Sequence, residues 1–181
     1  MKRITLIIVI LAVASFAAAG RTEWRDQVYR LPSSRRTEVT LRAVLPMYFG
    51  ASTIYNKASD APGLSDPGFM FGLEMLGLQF NSKGGPLEAN AALGWEFMRG
   101  ATYFGLPVRL AVKPGGRWKL FAGITPALRV NRSSTVNPYR LSATAGFSYR
   151  TVGLWASYGI TPMYLDTPGP RTLSFGVVLG I

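Results

Sequence analysis

The chain has 181 residues, a net charge of +11 at pH 7, and neither cysteine nor histidine. This composition excludes disulfide frameworks, thiolate or histidine-ligated metal sites, lipid anchors on cysteine, and catalysis by Ser-His-Asp or Cys-His groups. Glu88 and Glu96 share one predicted strand, but about 26 Å of strand separates them, too far for joint acid–base catalysis. We therefore expect no enzymatic activity, no metal and no cofactor.

The first residues have the pattern of a secretory signal peptide. Lys2 and Arg3 precede an apolar run, Ile4 to Phe16, and the small residues before Gly20 suit a cleavage site. The run is short for the roughly 20 residues of a membrane-spanning helix, and no later stretch is as apolar. The sequence predicts a signal peptide at residues 1–19 and export. Export makes nucleic acid an unsuitable partner for the basic chain and favours the phosphates of outer-membrane lipid and lipopolysaccharide.

The next part of the chain leads into the first two predicted strands. Residues 20–36 are polar, basic and without periodicity, which predicts a flexible periplasmic segment. Glu38 to Phe49 alternates apolar and smaller residues, as a strand does. Gly50 to Pro67 is rich in turn-forming residues and is interpreted as the longest surface loop. Gly68 to Phe80 changes parity part-way, which predicts a β-bulge near Leu76-Gly77.

Six further segments keep one parity throughout, with large apolar residues on one face and small or polar residues on the other. They are Leu87–Phe97, Thr102–Val112, Trp118–Val130, Tyr139–Tyr149, Val152–Thr161 and Leu173–Ile181. Proline has no backbone N–H to donate to a neighbouring strand. We therefore expect locally irregular strand pairing at Pro46, Pro107, Pro126 and Pro162. Long connections alternate with tight turns, as in bacterial outer-membrane barrels whose short turns face the periplasm. We therefore predict an all-β fold, an eight-stranded antiparallel up-and-down transmembrane β-barrel over residues 37–181.

Most charges within the predicted strands lie on the small-residue face. In lipid each would cost roughly 2–4 kcal/mol at the midplane, so we expect them inside the barrel. The predicted lumen network comprises Arg42, Glu74, Glu88, Asn90, Glu96, Arg109, Lys119, Arg129 and Arg140. Eight-stranded barrels have interiors that side chains just fill, which favours a lumen plugged by ion pairs. The alternative is a narrow gated channel. Arg129 and Arg140 are further interpreted either as solvated rim charges or as a clamp for a phosphate or carboxylate.

The closing strand carries a recognisable pattern. Ser174-x-Gly176-x-x-Leu179-x-Ile181 resembles the C-terminal signal of bacterial outer-membrane barrels, which commonly ends in Phe or Trp instead of Ile. The segments from Leu106 to Asn131 and from Leu154 to Ile181 are similar to the small "outer membrane protein β-barrel domain" family. The resemblance implies insertion by the barrel-assembly machinery, an outer-membrane location, and envelope, adhesion or accessory roles.

These observations predict a non-enzymatic integral outer-membrane protein with a structural or surface-interaction role through its extracellular loops, chiefly Gly50 to Pro67. A narrow channel for ions or small solutes is one alternative. A soluble exported ligand-binding barrel is another, but it needs an apolar lumen and a polar exterior, the reverse of the predicted parity.

Overall fold

A computed structural model of the chain describes residues 29–30, 37–42, 46–56, 63–83, 85–114, 117–132, 135–165 and 169–180. These residues form only β-strands: β1 (Tyr29–Arg30), β2 (Thr37–Arg42), β3 (Met47–Asn56), β4 (Gly63–Ser82), β5 (Leu87–Met98), β6 (Ala101–Gly105), β7 (Val108–Val112), β8 (Trp118–Arg129), β9 (Tyr139–Tyr149), β10 (Val152–Gly159) and β11 (Pro170–Leu179). In the described part of the chain, no helix is long and apolar enough to cross a membrane.

The strands close into one antiparallel up-and-down barrel of eight strands. β2 and β3 are successive parts of the first barrel strand, since both pair with β4. β6 and β7 form the fourth, since both lie between β5 and β8. β11 pairs with β10 on one side and with β3 on the other, which closes the ring. The predicted fold class is thereby confirmed as an all-β, eight-stranded barrel.

The two ends of the barrel differ in their connections. One end, the short-turn rim, has connections at residues 83–86, 113–117 and 150–151. The other end, the long-loop rim, has connections at residues 57–62, 99–100, 130–138 and 160–169. The predicted alternation of long and short connections is thus present, although the hairpin at 99–100 is tight.

Alternation decides which residues face the lumen. In β10, Val152, Leu154, Ala156 and Tyr158 are exposed on the outside, whereas the residues between them are buried inside. The same alternation holds along β5, β8, β9 and β11, with large apolar residues outside and small or polar residues inside. The barrel is therefore apolar on its outer surface and largely polar within.

The predicted bulge in the second barrel strand is confirmed, close to its expected position. The register between β4 and β5 shifts between Glu74 and Leu76. Met75 and Leu76 are consecutive, yet both are exposed on the outside. The extra residue reverses the parity, so that Gln79 after the bulge faces inward as Glu74 does before it.

The predicted loop from Gly50 to Pro67 is wrong over most of its length. Gly50 to Asn56 belongs to β3, and Gly63 to Pro67 belongs to β4. Residues 57–62 lie outside the described part of the chain. The loop was predicted from the Asn, Asp, Pro and Gly residues between Asn56 and Pro67, whereas Gly50 and Ser52 occupy positions where two strands come close together. A Cβ on Gly50 would collide with the Phe175 carbonyl group, and Ser52 is fully buried.

The order of the predicted strands implies that the closing strand pairs with the first one, Glu38 to Phe49, to close the barrel. The closing strand instead pairs with Met47–Asn56, so the predicted seam is right only at Met47 to Phe49. Closing a sheet into a barrel requires strands to stagger, so the first strand overhangs the end of the last one. β2 is that overhang. Its edge is paired by β1, with Tyr29 opposite Leu41.

β1 corrects the prediction that residues 20–36 are entirely flexible. Tyr29 and Arg30 form two rungs with β2. The overhanging strand β2 has backbone N–H and C=O groups on its free edge that no neighbouring barrel strand can pair. β1 provides hydrogen-bond partners for part of this edge. The rest of residues 20–36 and the predicted signal peptide lie outside the described residues.

Proline breaks the fourth barrel strand as predicted. Leu106 and Pro107 separate β6 from β7. The ladder is bridged locally, because the Leu106 N–H donates to the Pro126 carbonyl at 2.9 Å and the Ala92 N–H donates to the Pro107 carbonyl at 3.0 Å. Pro126 itself remains within β8, on the outer face.

Candidate functional site in the barrel lumen

The centre of the lumen is filled by a large aromatic side chain between glycines. Trp155 has Gly146 opposite it on β9 and Gly176 opposite it on β11. Its ring meets Tyr48 edge-on, with 5.7 Å between centroids, and its Nε1–H donates to the Val177 carbonyl at 3.1 Å. Glycines beside a bulky residue leave room for the indole, which explains the small residues that the sequence places on this face.

One buried ion pair lies next to this aromatic pair. Glu74 on β4 contacts Arg109 on β7 through Oε1 and NH1, and both side chains are almost fully buried, at 4% and 10% exposure. The Arg109 guanidinium also lies over the Tyr48 ring, 5.0 Å from its centroid. Together Tyr48, Glu74 and Arg109 form a layer across the lumen, which we call the central layer.

A second charged group lies towards the short-turn rim. The Glu88 carboxylate accepts hydrogen bonds from Lys119 at 2.9 Å and lies 2.6 Å from the Lys113 ammonium. Lys113 was not among the predicted lumen residues, because it lies in the turn after β7. Its position two residues after the inward-facing Ala111 is the sequence signal that could have indicated it.

Two uncharged polar side chains continue the row from Arg109 across the wall. Asn90 on β5 lies opposite Arg109 on β7, and Gln79 on β4 lies opposite Asn90. Gln79 is fully buried, and its Nε2 donates to Asn81 Oδ1 at 2.7 Å. The predicted network omits Gln79, although a bulge upstream turns it inward.

The long-loop half holds the other predicted charges. Glu96 contacts Arg140 through Oε2 and NH1, and the Arg140 guanidinium lies 5.7 Å from the Tyr103 ring centroid. Arg129 instead donates to the carbonyl groups of Asn131, at 3.0 Å, and Val136. Arg129 and Arg140 therefore have separate protein partners, and the anion clamp that the sequence suggested stays a prediction.

Two loops close the long-loop rim. In the connections 130–138 and 160–169, Val136 forms an isolated bridge with Tyr164. The Asn137 N–H donates to the Met163 carbonyl at 2.9 Å. The side chains of Val136 and Met163 are buried in the same apolar cluster as Trp155. We call these two loops the cap.

The described residues enclose two cavities that lie along the lumen. The larger, of about 50 Å³, extends from the central layer towards the short-turn rim and includes Glu88, Lys119 and Gly180 in its wall. The smaller, of about 20 Å³, lies on the other side and includes Glu96 and Trp155. Both are lined by Tyr48, Glu74 and Arg109. The central layer thus separates the two.

The remaining predicted residues lie at the seam or outside the description. Arg42 is the last residue of β2, and its side chain is not among the described ones. Ser174 is buried and donates to Ser52 Oγ at 3.2 Å across the seam. Leu179 lies opposite Val152 and Met47. Ile181 lies outside the described residues.

Gly176 has a packing role independent of any signal. A Cβ at this position would collide with the Phe49 carbonyl oxygen and approach the Cα of Gly50. The seam strands β3 and β11 therefore approach each other closely only because both contribute glycine here.

Within the described residues, no group of three or more acidic side chains is placed to hold a metal ion. Comparison with known proteins found no matching family model, no matching curated protein and no matching solved structure.

Proposed function

We propose that the chain is an integral outer-membrane β-barrel with a non-enzymatic, structural or surface-contact role in the bacterial envelope. The observation that carries this proposal is the outer surface of the barrel. Large apolar side chains are exposed on β4, β5, β7, β8, β9, β10 and β11, and Leu110 is 68% exposed. Contiguous apolar surface of this kind is rare on monomeric soluble proteins and is typical of contact with lipid.

The inside of the barrel supports the same proposal. A soluble ligand-binding barrel would bury its apolar residues in the lumen, whereas this lumen holds the Glu74–Arg109, Glu88–Lys119 and Glu96–Arg140 ion pairs. Carboxylates and guanidiniums placed on the outer face would be costly in lipid, and inside they are paired. Partners would be outer-membrane lipid and lipopolysaccharide.

The surface-contact part of the proposal now rests on the cap. The loop first expected to make contacts, Gly50 to Pro67, is largely strand. The cap, by contrast, has exposed side chains at Arg132, Thr135 and Leu165 on the long-loop rim. In an outer-membrane protein this rim would face the outside of the cell.

A pair of arginine substitutions tests the membrane location. Ile124 is half-exposed in the middle of β8, and Leu165 is similarly exposed in the cap. If β8 crosses lipid, Ile124→Arg lowers the free energy of unfolding by roughly 2–4 kcal/mol in lipid vesicles, whereas Leu165→Arg changes it little. In a soluble barrel both substitutions would be nearly neutral. Urea titration followed by heat-dependent gel mobility measures the difference.

Envelope fractionation provides the independent measurement. The wild-type protein should remain with the outer membrane and migrate differently on gels run before and after boiling. A protein that stays in solution without detergent, together with equal effects of the two arginine substitutions, would overturn the proposal.

A narrow channel is a second candidate function. It is favoured by one observation, the two cavities that follow each other along the lumen with only the central layer between them. Conductance across a planar bilayer that changes in Glu96→Gln would support the channel. Flat traces for the wild-type protein would support the closed barrel.

The C-terminal assembly signal remains a proposal with its own test. We expect deletion of Leu179 to Ile181 to block insertion by the barrel-assembly machinery, and Ile181→Phe to leave insertion intact or improve it. Gly176 is unsuitable for this test, because its replacement also disturbs the seam. Normal membrane assembly of the truncated chain would show that the signal is not needed.

A further inference from the structure

The larger of the two lumen cavities combines space with unsatisfied polar groups. At about 50 Å³ it has room for roughly three or four water molecules. Among the described residues, several buried atoms on its wall have no hydrogen-bond partner, including the Tyr48 hydroxyl, Gln79 Oε1, Asn90 Oδ1 and Arg109 Nε. A buried polar group left without a partner is destabilising, so these atoms indicate an occupant.

The chemistry of the wall limits what the occupant is. Gln79 Oε1 is fixed as an acceptor, because the Nε2 of the same amide donates to Asn81. Asn90 Oδ1 is a second acceptor, and Glu74 Oε2 is a third oxygen without a hydrogen-bond partner. The unused donors among these wall atoms are Arg109 Nε and the Tyr48 hydroxyl, which can also accept. A matching ligand therefore has more donors than acceptors.

The charges around the cavity disfavour an ionic ligand. Arg109 and Lys119 line the wall and oppose a cation, while the carboxylates of Glu74 and Glu88 oppose an anion. Each carboxylate is already in contact with a basic partner, so neither charge is left over for a ligand ion. An uncharged ligand fits this balance.

The surroundings also define the entrance. The cavity ends at the central layer, and beyond it the long-loop rim is closed by the buried side chains of Val136 and Met163. On the other side, Lys113 beside Glu88 is partly exposed at the short-turn rim. Access is therefore from the short-turn rim.

We propose that the short-turn half of the lumen is a solvated binding site for a small uncharged solute rich in N–H or O–H donors, such as an amide or a polyol. Water fills the site when no solute is present. The proposal concerns the lumen and goes beyond the proposed function. It is tested on the folded barrel in detergent, where folding is checked by gel mobility and where the membrane location plays no part.

The absence of native cysteine makes a labelling experiment direct. Ala111 and Ala127 are both inward-facing and equally buried at 6%, but only Ala111 lines the larger cavity. We expect Ala111→Cys in the folded barrel to react with iodoacetamide, an uncharged primary amide, and Ala127→Cys to remain unmodified by mass spectrometry. Equal reaction of the two thiols, or no reaction of Ala111→Cys in a barrel with normal gel mobility, would overturn the proposal.

A second comparison tests the class of ligand. Iodoacetate is similar in size to iodoacetamide but is an anion without N–H donors. With rates normalised to the unfolded protein, Ala111→Cys should prefer iodoacetamide. Adding Gln79→Leu and Asn90→Leu should reduce that preference by roughly five- to tenfold, as the loss of about one hydrogen bond implies. A preference that survives this double substitution, or that favours iodoacetate, would show that the ligand class is wrong.

Discussion

In the short-turn half of the lumen, residues on the strands themselves provide the filling, with Glu88 between two lysines around a solvated cavity. In the long-loop half, loops fold inward and close the rim with Val136 and Met163. Both halves hold ion pairs between strand residues, and the long-loop half is in addition closed by apolar side chains from loops. Its cavity is the smaller of the two, about 20 Å³ against about 50 Å³, so apolar side chains from loops fill the barrel more completely than charges on strands do.

The largest effect is expected where the two halves meet. Trp155 is almost fully buried, and it lies between Gly146 and Gly176, which have no side chains to fill its space. Trp155→Ala should therefore lower the free energy of unfolding by about 3–5 kcal/mol, since the void cannot collapse. Urea titration with gel mobility as the readout measures this without relying on tryptophan fluorescence.

Trp118→Ala is the matched control. Trp118 is exposed at the short-turn rim, where it stacks only on Phe147 and Tyr149 on the outer surface. Its replacement leaves no internal void, and its effect should be well below that of Trp155→Ala. Equal effects would mean that the centre of the lumen is not the tightly filled region described above.

The next effect compares the buried ion pairs of the two halves. Arg109→Met leaves Glu74 unpaired at 4% exposure, and Arg140→Met leaves Glu96 unpaired at 17% exposure. Breaking a buried pair typically costs about 3–5 kcal/mol, and the more exposed carboxylate retains part of its hydration. We expect Arg109→Met to be the more destabilising of the two by urea titration.

Double substitutions separate the loss of the pair from the loss of packing. Glu74→Gln combined with Arg109→Met removes both charges and should recover much of the stability lost in Arg109→Met alone. Absence of recovery would indicate that the arginine acts through its packing on Tyr48 rather than through the carboxylate.

A smaller effect is expected at the cap. Met163→Ala removes a buried side chain from the rim and should cost about 2 kcal/mol, the lower end for such a truncation, because the site borders solvent. The barrel should persist while the loops loosen, so that trypsin cleaves faster after the exposed Arg132. Val130→Ala, an exposed position in the same loop, should leave the cleavage rate unchanged.

The sequence predicted the short-turn half of the lumen well, because the alternation of inward and outward side chains along a strand is a local property. A residue's parity in β5 or β8 decides whether it faces the outside of the barrel or the lumen, so the inward positions of Glu88 and Lys119 follow from spacing alone. The bulge in β4 was also visible, as a change of parity within one apolar strand.

The long-loop half of the lumen and the seam between β3 and β11 could not be predicted in the same way. The bridge between Val136 and Tyr164 joins two loops that have no periodicity. The assignment of Gly50 to Asn56 as a loop failed because turn-forming residues from Asn56 to Pro67 mark where a connection lies but not where it begins, and the first seven residues pair with the closing strand. Which strand overhangs depends on the stagger of the whole barrel, a property of all eight strands together.

The smallest effect should come from the two lysines that contact Glu88 in the short-turn half. Their replacement tests whether either lysine alone is enough to pair with this carboxylate. Lys113 is 37% exposed, and Lys119 remains bound to the same carboxylate at 2.9 Å when Lys113 is replaced. Lys113→Met should therefore cost less than about 1 kcal/mol, as for exposed ion pairs. Lys119→Met should cost more, because Lys119 is the more buried partner and also lines the cavity. If urea titration gave the reverse order, Lys113 at the rim would be the main partner of Glu88 instead of Lys119 in the lumen. The Glu88 carboxylate would then be neutralised chiefly by a residue of the turn and not by a residue of the strand.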